Sequence, residues 1–433
     1  GRSKVVATKV RDTVRSVKPS LMRIFLSTAK PVEFVPHGPE DVAMAEQATE
    51  FMHHEFTRLN GYRVMNDAFQ DALVKKQGIV KAYWMTYPEA EIYTFTDLSD
   101  DEYTYLLDDD SVTVLEHTVE MTIEIDPMGM EIQLPIHSVK LSRQKEMGEL
   151  CIESVPPEEF FINRDARSME DAYVVAHRTD MRAGDLIAMG YDPDVVLKLD
   201  SFESGSDITE AEVFERQGYS SDTSDEDQED PSMRNVAVTE AYMRIDVDGT
   251  GVPVLHKITC GGTAYEMLDF EPCDELPFAK FEIDPEPHTF YGRSLAEIVM
   301  DDQDAATSVL RSILDNVAMT NNPRLGIVEG AVNIDDVLNN EIGAIVRMRA
   351  PGSVQELSVP FTAGQTLGAL TYLDGLVESK TGVSRASMGL DPDAMQSTTK
   401  AAVQATVQAA AGQVEVMVRN LADGMRDLFG IML

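Results

Sequence analysis

The side chains in this 433-residue chain best suited to chemistry are a histidine pair and several acidic runs. His53-His54-Glu55 offers two imidazoles and a carboxylate to a metal. Adjacent helical residues point about 100° apart, whereas two ligands on one face need i, i+4 spacing, and no HExxH pattern exists. A solvated helix face is the expectation. Asp246-Val247-Asp248-Gly249 begins like a cation loop but lies between strand patterns, so a hairpin turn is expected. Asp301-Asp302-Gln303-Asp304 reads as the opening of a helix, where acids offset exposed N–H groups. A catalytic carboxylate pair there has no identifiable activating partner.

The block SSDTSDEDQED at 220–230 has no Gly for the sharp turn of a calcium loop. It carries too little apolar surface to fold alone, and a mobile acidic loop over 201–233 is expected. A GxxxxGK[ST] phosphate loop, a strand-linked GxGxxG and a GxSxG elbow are all missing. Cys151, Cys260 and Cys273 are too dispersed for a disulfide framework or a metal knuckle. No catalytic residue, cofactor or metal is expected.

Net charge is −39. Residues 1–30 carry eight Lys/Arg against one Asp, a local +7, which leaves −46 on the rest. Such a body repels nucleic acid, because tight DNA binding needs cations to replace condensed counterions. There is no run of 18 apolar residues, so no membrane span is expected. The start lacks an initiator Met and a signal peptide, and the apolar end is uncapped, so tails beyond both ends are expected.

These residues sit on elements legible from periodicity. Residues 11–27 read as a basic amphipathic helix with Val14, Val17, Leu21 and Ile24 on one side, packed on the acidic body or a neighbouring copy. Helices follow at 41–59, broken by Gly61, and at 64–76, closed by Gly78. Period-two runs at 79–86, 92–96, 112–125, 132–141 and 150–155 read as strands, with a turn at 126–129. A second β region covers 236–246 and 252–267, with short helices at 181–197 before it. Leu295, Ile298, Val299, Ala306, Val309, Ile313 and Val317 then mark one face of a long helix, stopped at Asn321-Asn322-Pro323. Helical spacing resumes at Leu367, Leu370, Leu373 and Val377, and the last helix steps from Val403 to Leu428 by threes and fours. That sustained stripe needs a facing partner. Between the helices, 321–361 holds strand candidates at 325–328, 344–348 and 354–359 but little apolar volume, so neighbouring copies are the natural source of burial.

Several stretches together resemble the portal (head–tail connector) proteins of tailed double-stranded DNA bacteriophages, particularly short-tailed phages. They are Pro31–Pro36 with Glu40-Asp41; Val155–Ile162 with Asp165–Ser168; Leu276-Pro277-Phe278 with Tyr291–Ser294 and Asp302-Gln303; and Lys380–Ser384 with Met388-Gly389-Leu390. Their order and spacing carry the likeness.

The resemblance implies an α+β fold of portal architecture: a mixed wing at 1–288, stem helices at 289–320 and 362–381, and a small β-containing clip at 321–361. A tunnel loop at 382–399 and a C-terminal wing helix at 400–433 complete it. It implies a ring of twelve copies in the virion, at one capsid vertex, assembled in the host cytoplasm. Double-stranded DNA would pass through for packaging and ejection. The implied partners are the terminase large subunit, a tail adaptor, and the major capsid and scaffolding proteins, with no membrane. Arg385, Ser387, Met388, Gln396 and Lys400 are the DNA-channel candidates. Asn321, Arg324, Asp335, Asp336, Arg347 and Arg349 are those for motor and adaptor docking. The crown or helical barrel that often follows the last wing helix in this family has no counterpart in the sequence. The competing expectations are an enzyme with a carboxylate site in the wing and a non-viral acidic scaffold.

Overall fold

A computed structural model describes residues 2–26, 32–109, 112–125, 131–200, 230–339, 341–382 and 400–433. In chain order come helices α1 (Lys9–Leu26), α2 (Val42–Arg58) and α3 (Gly61–Lys75), strand β1 (Gly78–Leu98) and helix α4 (Asp100–Leu107). Strands β2 (Val112–Ile125), β3 (Glu131–Val155), β4 (Phe160–Ile162) and β5 (Val174–Arg182) lead to short helices α5 (Ala183–Ala188) and α6 (Pro193–Val196). Strands β6 (Asn235–Ile245), β7 (Val254–Gly261), β8 (Glu266–Pro272) and β9 (Phe278–Phe281) follow. The remainder is α7 (Leu295–Asn321), β10 (Arg324–Ile327), α8 (Ile334–Leu338), β11 (Val354–Leu357), α9 (Ala363–Thr381) and α10 (Lys400–Met432). Among the described residues helices make up 40% and strands 30%, the mixture expected of α+β. Contacts divide the chain into two compact units: residues 1–53, 62–79 and 280–427, and residues 54–61, 80–279 and 428–433.

The first unit is mainly helical, with β10 and β11 as its small sheet. Val14, Val17, Leu21 and Phe25 of α1 are buried at three- and four-residue steps. Phe25 meets Phe69 of α3 edge-on at 5.5 Å, and Phe69 meets Phe281 at 5.9 Å. Ile24, expected on this stripe, is exposed; Phe25 occupies the inward position. Lys9 of α1 pairs with Asp374 of α9, so the basic helix does engage the acidic body. The chain before α1 and the first turn of α1 run along α7: Ser3 N donates to Asp315 (2.7 Å), Ala7 N to Thr307 (3.0 Å) and Val10 N to Gln303 (3.1 Å). Met417, Leu421 and Met425 of α10 are buried as its stripe requires, and Asn420 donates to the Ile283 carbonyl at 2.8 Å.

Two glycine expectations change. Gly78 does not close α3: Lys76 takes the left-handed conformation there (φ 88), and Gly78 opens β1. A Cβ on Gly78 would strike the Ala68 backbone, so close packing requires the glycine. Gly61 begins α3, and the break falls at Asn60 (φ 55).

The second unit is built on sheets of order β2-β3-β1-β9 and β4-β5-β6-β7-β8. The runs expected as separate strands at 79–86 and 92–96, and at 132–141 and 150–155, are continuous as β1 and β3. The ladder passes through polar residues: Arg143 of β3 still opposes Val112 of β2. The turn expected at 126–129 and the acidic loop through residue 229 lie outside the described residues. Leu186 and Val196 from α5 and α6, with Leu199, pack with Val236 and Val238 of β6.

At the β6–β7 turn, Asp246 accepts from Thr250 N (2.9 Å) and Gly251 N (2.7 Å). These backbone donors hold its carboxyl below the ordinary aspartate value. This is the expected hairpin turn, closed by its own N–H groups. Lys81 of β1, 4% exposed, is ion-paired with Glu240 of β6, with Glu153 3.8 Å away and His177 Nδ1 at 3.5 Å.

Candidate functional site

The sequence places the site on the α7–α9 pair and the residues it carries. Ser294 caps α7 by accepting from Glu297 N at 3.0 Å. Asp301–Asp304 therefore lie inside α7, past its first turn, and do not open the helix as expected. Their environments diverge. Asp301 and Asp304 are exposed, while Asp302 is buried and meets Lys380 Nζ of α9 at 2.7 Å. At the other end Asn316 of α7 donates to the Pro360 carbonyl (3.0 Å) and accepts from Thr362 N (3.1 Å). Two contacts, 302 to 380 and 316 to 362, fix α7 and α9 as an antiparallel pair. At 1.5 Å per residue they extend about 40 Å and about 28 Å. Asp302 is thus a brace within that pair, and nothing in the spacing of residues 78 apart announced it.

The pair carries a small module. Strand β10 pairs antiparallel with β11, Arg324 opposite Leu357 and Ile327 opposite Val354. Helix α8 begins at Asn333, which accepts from Asp335 N at 3.2 Å; sequence periodicity gave no sign of it. The strand expected at 344–348 is reduced to a single bridge, Val332 to Met348. Apolar side chains here are outward: Ile342, Ile345, Leu338 and Phe361 are all more than 60% exposed. Two short strands and one five-residue helix offer no second layer to cover them.

The docking candidates separate into two groups. Asp336 and Arg347 occupy each other: Arg347 Nε and a second guanidinium nitrogen donate to the carboxylate at 2.7 and 2.9 Å, and Arg347 N adds a third bond at 3.2 Å. These hydrogen bonds hold the Asp336 carboxyl below the usual aspartate range. This ion pair ties α8 to the return segment, while the Arg347 side chain stays 75% exposed. Asn321 ends α7, Arg324 opens β10, Asp335 sits in the first turn of α8, and Arg349 is held by Ala331 through the backbone (2.9 Å). All four are exposed. Of the channel candidates, Arg385, Ser387, Met388 and Gln396 lie outside the described residues, and Lys400 is the first residue of α10. Gly382 ends α9 in the left-handed conformation (φ 70), as a helix terminator does.

His53 and the His117–His137 pair are held by protein partners. His53 is buried, not solvated as expected, and its Nε2 lies 2.7 Å from the Val32 carbonyl. His137 bridges Asp100 (2.7 Å) and His117 (2.8 Å) while the Tyr103 ring stacks on both imidazoles, which docks α4 onto β2 and β3. Among the described residues no group of three or more His, Cys, Asp or Glu is placed to hold a metal. Nor is any helix there long and apolar enough to cross a membrane.

No curated protein matches the chain. The family model described as Phage SU10 portal protein matches it over residues 1–433, its whole length. The chain therefore belongs to that family and is a bacteriophage portal protein, a structural head–tail connector of the virion.

Proposed function

We propose that the chain is one subunit of a closed ring whose bore conducts double-stranded DNA during packaging and ejection. In this reading α7 and α9 are the stem and 321–361 is the clip. Residues 1–288 and 400–433 form the wing, and 382–399 is the tunnel loop. The observation that carries it is the antiparallel α7–α9 pair bearing a module whose apolar side chains face outward. In a head-to-tail ring each such module lies against the next, and closure leaves no open end. About twelve copies are expected from the family likeness.

The net charge of −39 gives such a bore a largely repulsive wall, felt within about 8 Å at physiological salt. Arg385 and Lys400 supply weak phosphate contacts, with Ser387, Met388 and Gln396 beside them. Asn321, Arg324, Asp335, Asp336, Arg347 and Arg349 set register with the terminase large subunit and then a tail adaptor. Capsid and scaffolding proteins meet the wing. The test is packaging by particles carrying Arg385→Glu with Lys400→Glu: a reduced rate is expected, and an unchanged rate removes the channel assignment.

A further inference from the structure

A cationic groove in the first unit is not used by any of these roles. It lies between α1 and α3 and encloses a volume of about 580 Å³. Arg15, Lys18 and Arg23 line it from α1, and no carboxylate is among its described lining residues. In a chain of net charge −39 such a concentration of cations is notable for its sign alone.

The floor is apolar. Pro19, Met22 and Leu26 continue the same face of α1 at three- and four-residue steps, and Tyr62, exposed, stands on the α3 side. From Arg15 to Leu26 the wall runs about 16 Å at helical rise. That length accommodates four or five extended residues or two to three helical turns.

The polar groups on the walls distinguish between anions. Pro19 lies inside α1 and has no N–H to give to the Arg15 carbonyl. Asn66, on the wall, donates from Nδ2 to Asp67 (3.0 Å), and its Oδ1 can accept. Gln70 Oε1 accepts from Lys18 at 3.2 Å, which leaves its NH₂ as a donor. Acceptors beside the cations suit a ligand that has N–H groups as well as negative charge. A phosphodiester backbone has none.

We propose that this groove binds an acidic peptide segment of a partner protein, with carboxylates on Arg15, Lys18 and Arg23 and an apolar side chain on Met22 and Leu26. This is recognition of an acidic motif by an Arg cluster over an apolar floor. Burial lowers the Lys18 ammonium, partly offset by Asp67 and Asp71. An incoming carboxylate stabilises that charge. The inference does not depend on ring closure.

The test is calorimetric titration of the full chain with the synthetic peptide acetyl-EDLEELDE-amide. Saturable binding is expected, weakened roughly tenfold or more by Arg15→Gln with Arg23→Gln, since each removes a charge-assisted hydrogen bond. Arg11→Gln, on the same helix outside the groove, should leave binding unchanged. A peptide with both leucines replaced by serine should bind more weakly. Circular dichroism melts check that the exposed-arginine variants stay folded. Absence of saturable binding, or equal loss in Arg11→Gln, overturns the proposal. Tighter binding of a 20-nucleotide oligothymidylate with the same arginine dependence would also overturn it, assigning the groove to phosphate.

Discussion

Lys380 Nζ lies 2.7 Å from the Asp302 carboxylate across α7 and α9, and the two partners differ in exposure, 41% for the lysine side chain and 9% for the aspartate. The consequences of removing either are therefore unequal. Lys380→Met strands a buried carboxylate, with an expected cost of about 2–4 kcal/mol. Asp302→Asn leaves a half-solvated ammonium and costs roughly 1 kcal/mol. Denaturant midpoints of the two variants measure this; equal losses, or the reverse order, contradict the brace.

Glu240 predicts an acid limb. Burial works to raise its carboxyl, but attraction and hydrogen bonding from Lys81, with help from Lys257 and His177, outweigh burial and hold it below its ordinary value. A carboxyl depressed in the folded state contributes stability that is full above its unfolded value, about 4.3, and lost as pH falls through the folded one. Glu240→Gln should therefore lower stability at pH 7 and approach the parent as pH falls into the acid range. Parallel pH profiles for the two proteins would show that the pair contributes nothing.

Asp336 and Arg347 act as one unit in the module. Asp336→Ala, Arg347→Ala and the double variant should accelerate amide exchange over 331–349 to similar extents, since either loss breaks the whole bidentate contact. Additive effects would mean that each residue has separate partners.

Replacing 321–361 by a short Gly/Ser linker should leave the helical content of α7 and α9 largely intact, because Lys380–Asp302 and Lys9–Asp374 lie outside the deleted stretch. Assembly should weaken. An oligomer of unchanged mass by light scattering would show that the module is not where copies meet.

What the sequence made legible follows the physics of each signal. The α7 and α10 stripes are local periodicities: the structure buries Leu295, Val299, Ala306 and Ile313 of α7, with Ile298 and Val309 half-buried, and Met417, Leu421, Met425 and Leu428 of α10. β1 and β3 looked broken because polar stretches interrupt the alternation without ending the strands. Gly78 was misread because its constraint is the Ala68 backbone, and His53 because its partner is the Val32 carbonyl. Both are tertiary facts with no local trace. The same holds for Asp302: its acidity was visible, its partner was not. The Asp336–Arg347 pair could be sought only as opposite charges in one small insert, and α8, which carries Asp336, is too short to show a period.

The measurement that bears most directly on the ring is native mass spectrometry of the purified chain, with electron microscopy of the same sample. Side-by-side closure predicts one dominant species at a high multiple of 47.9 kDa, imaged as particles with a central hole. A 47.9 kDa species that persists at high concentration would contradict it.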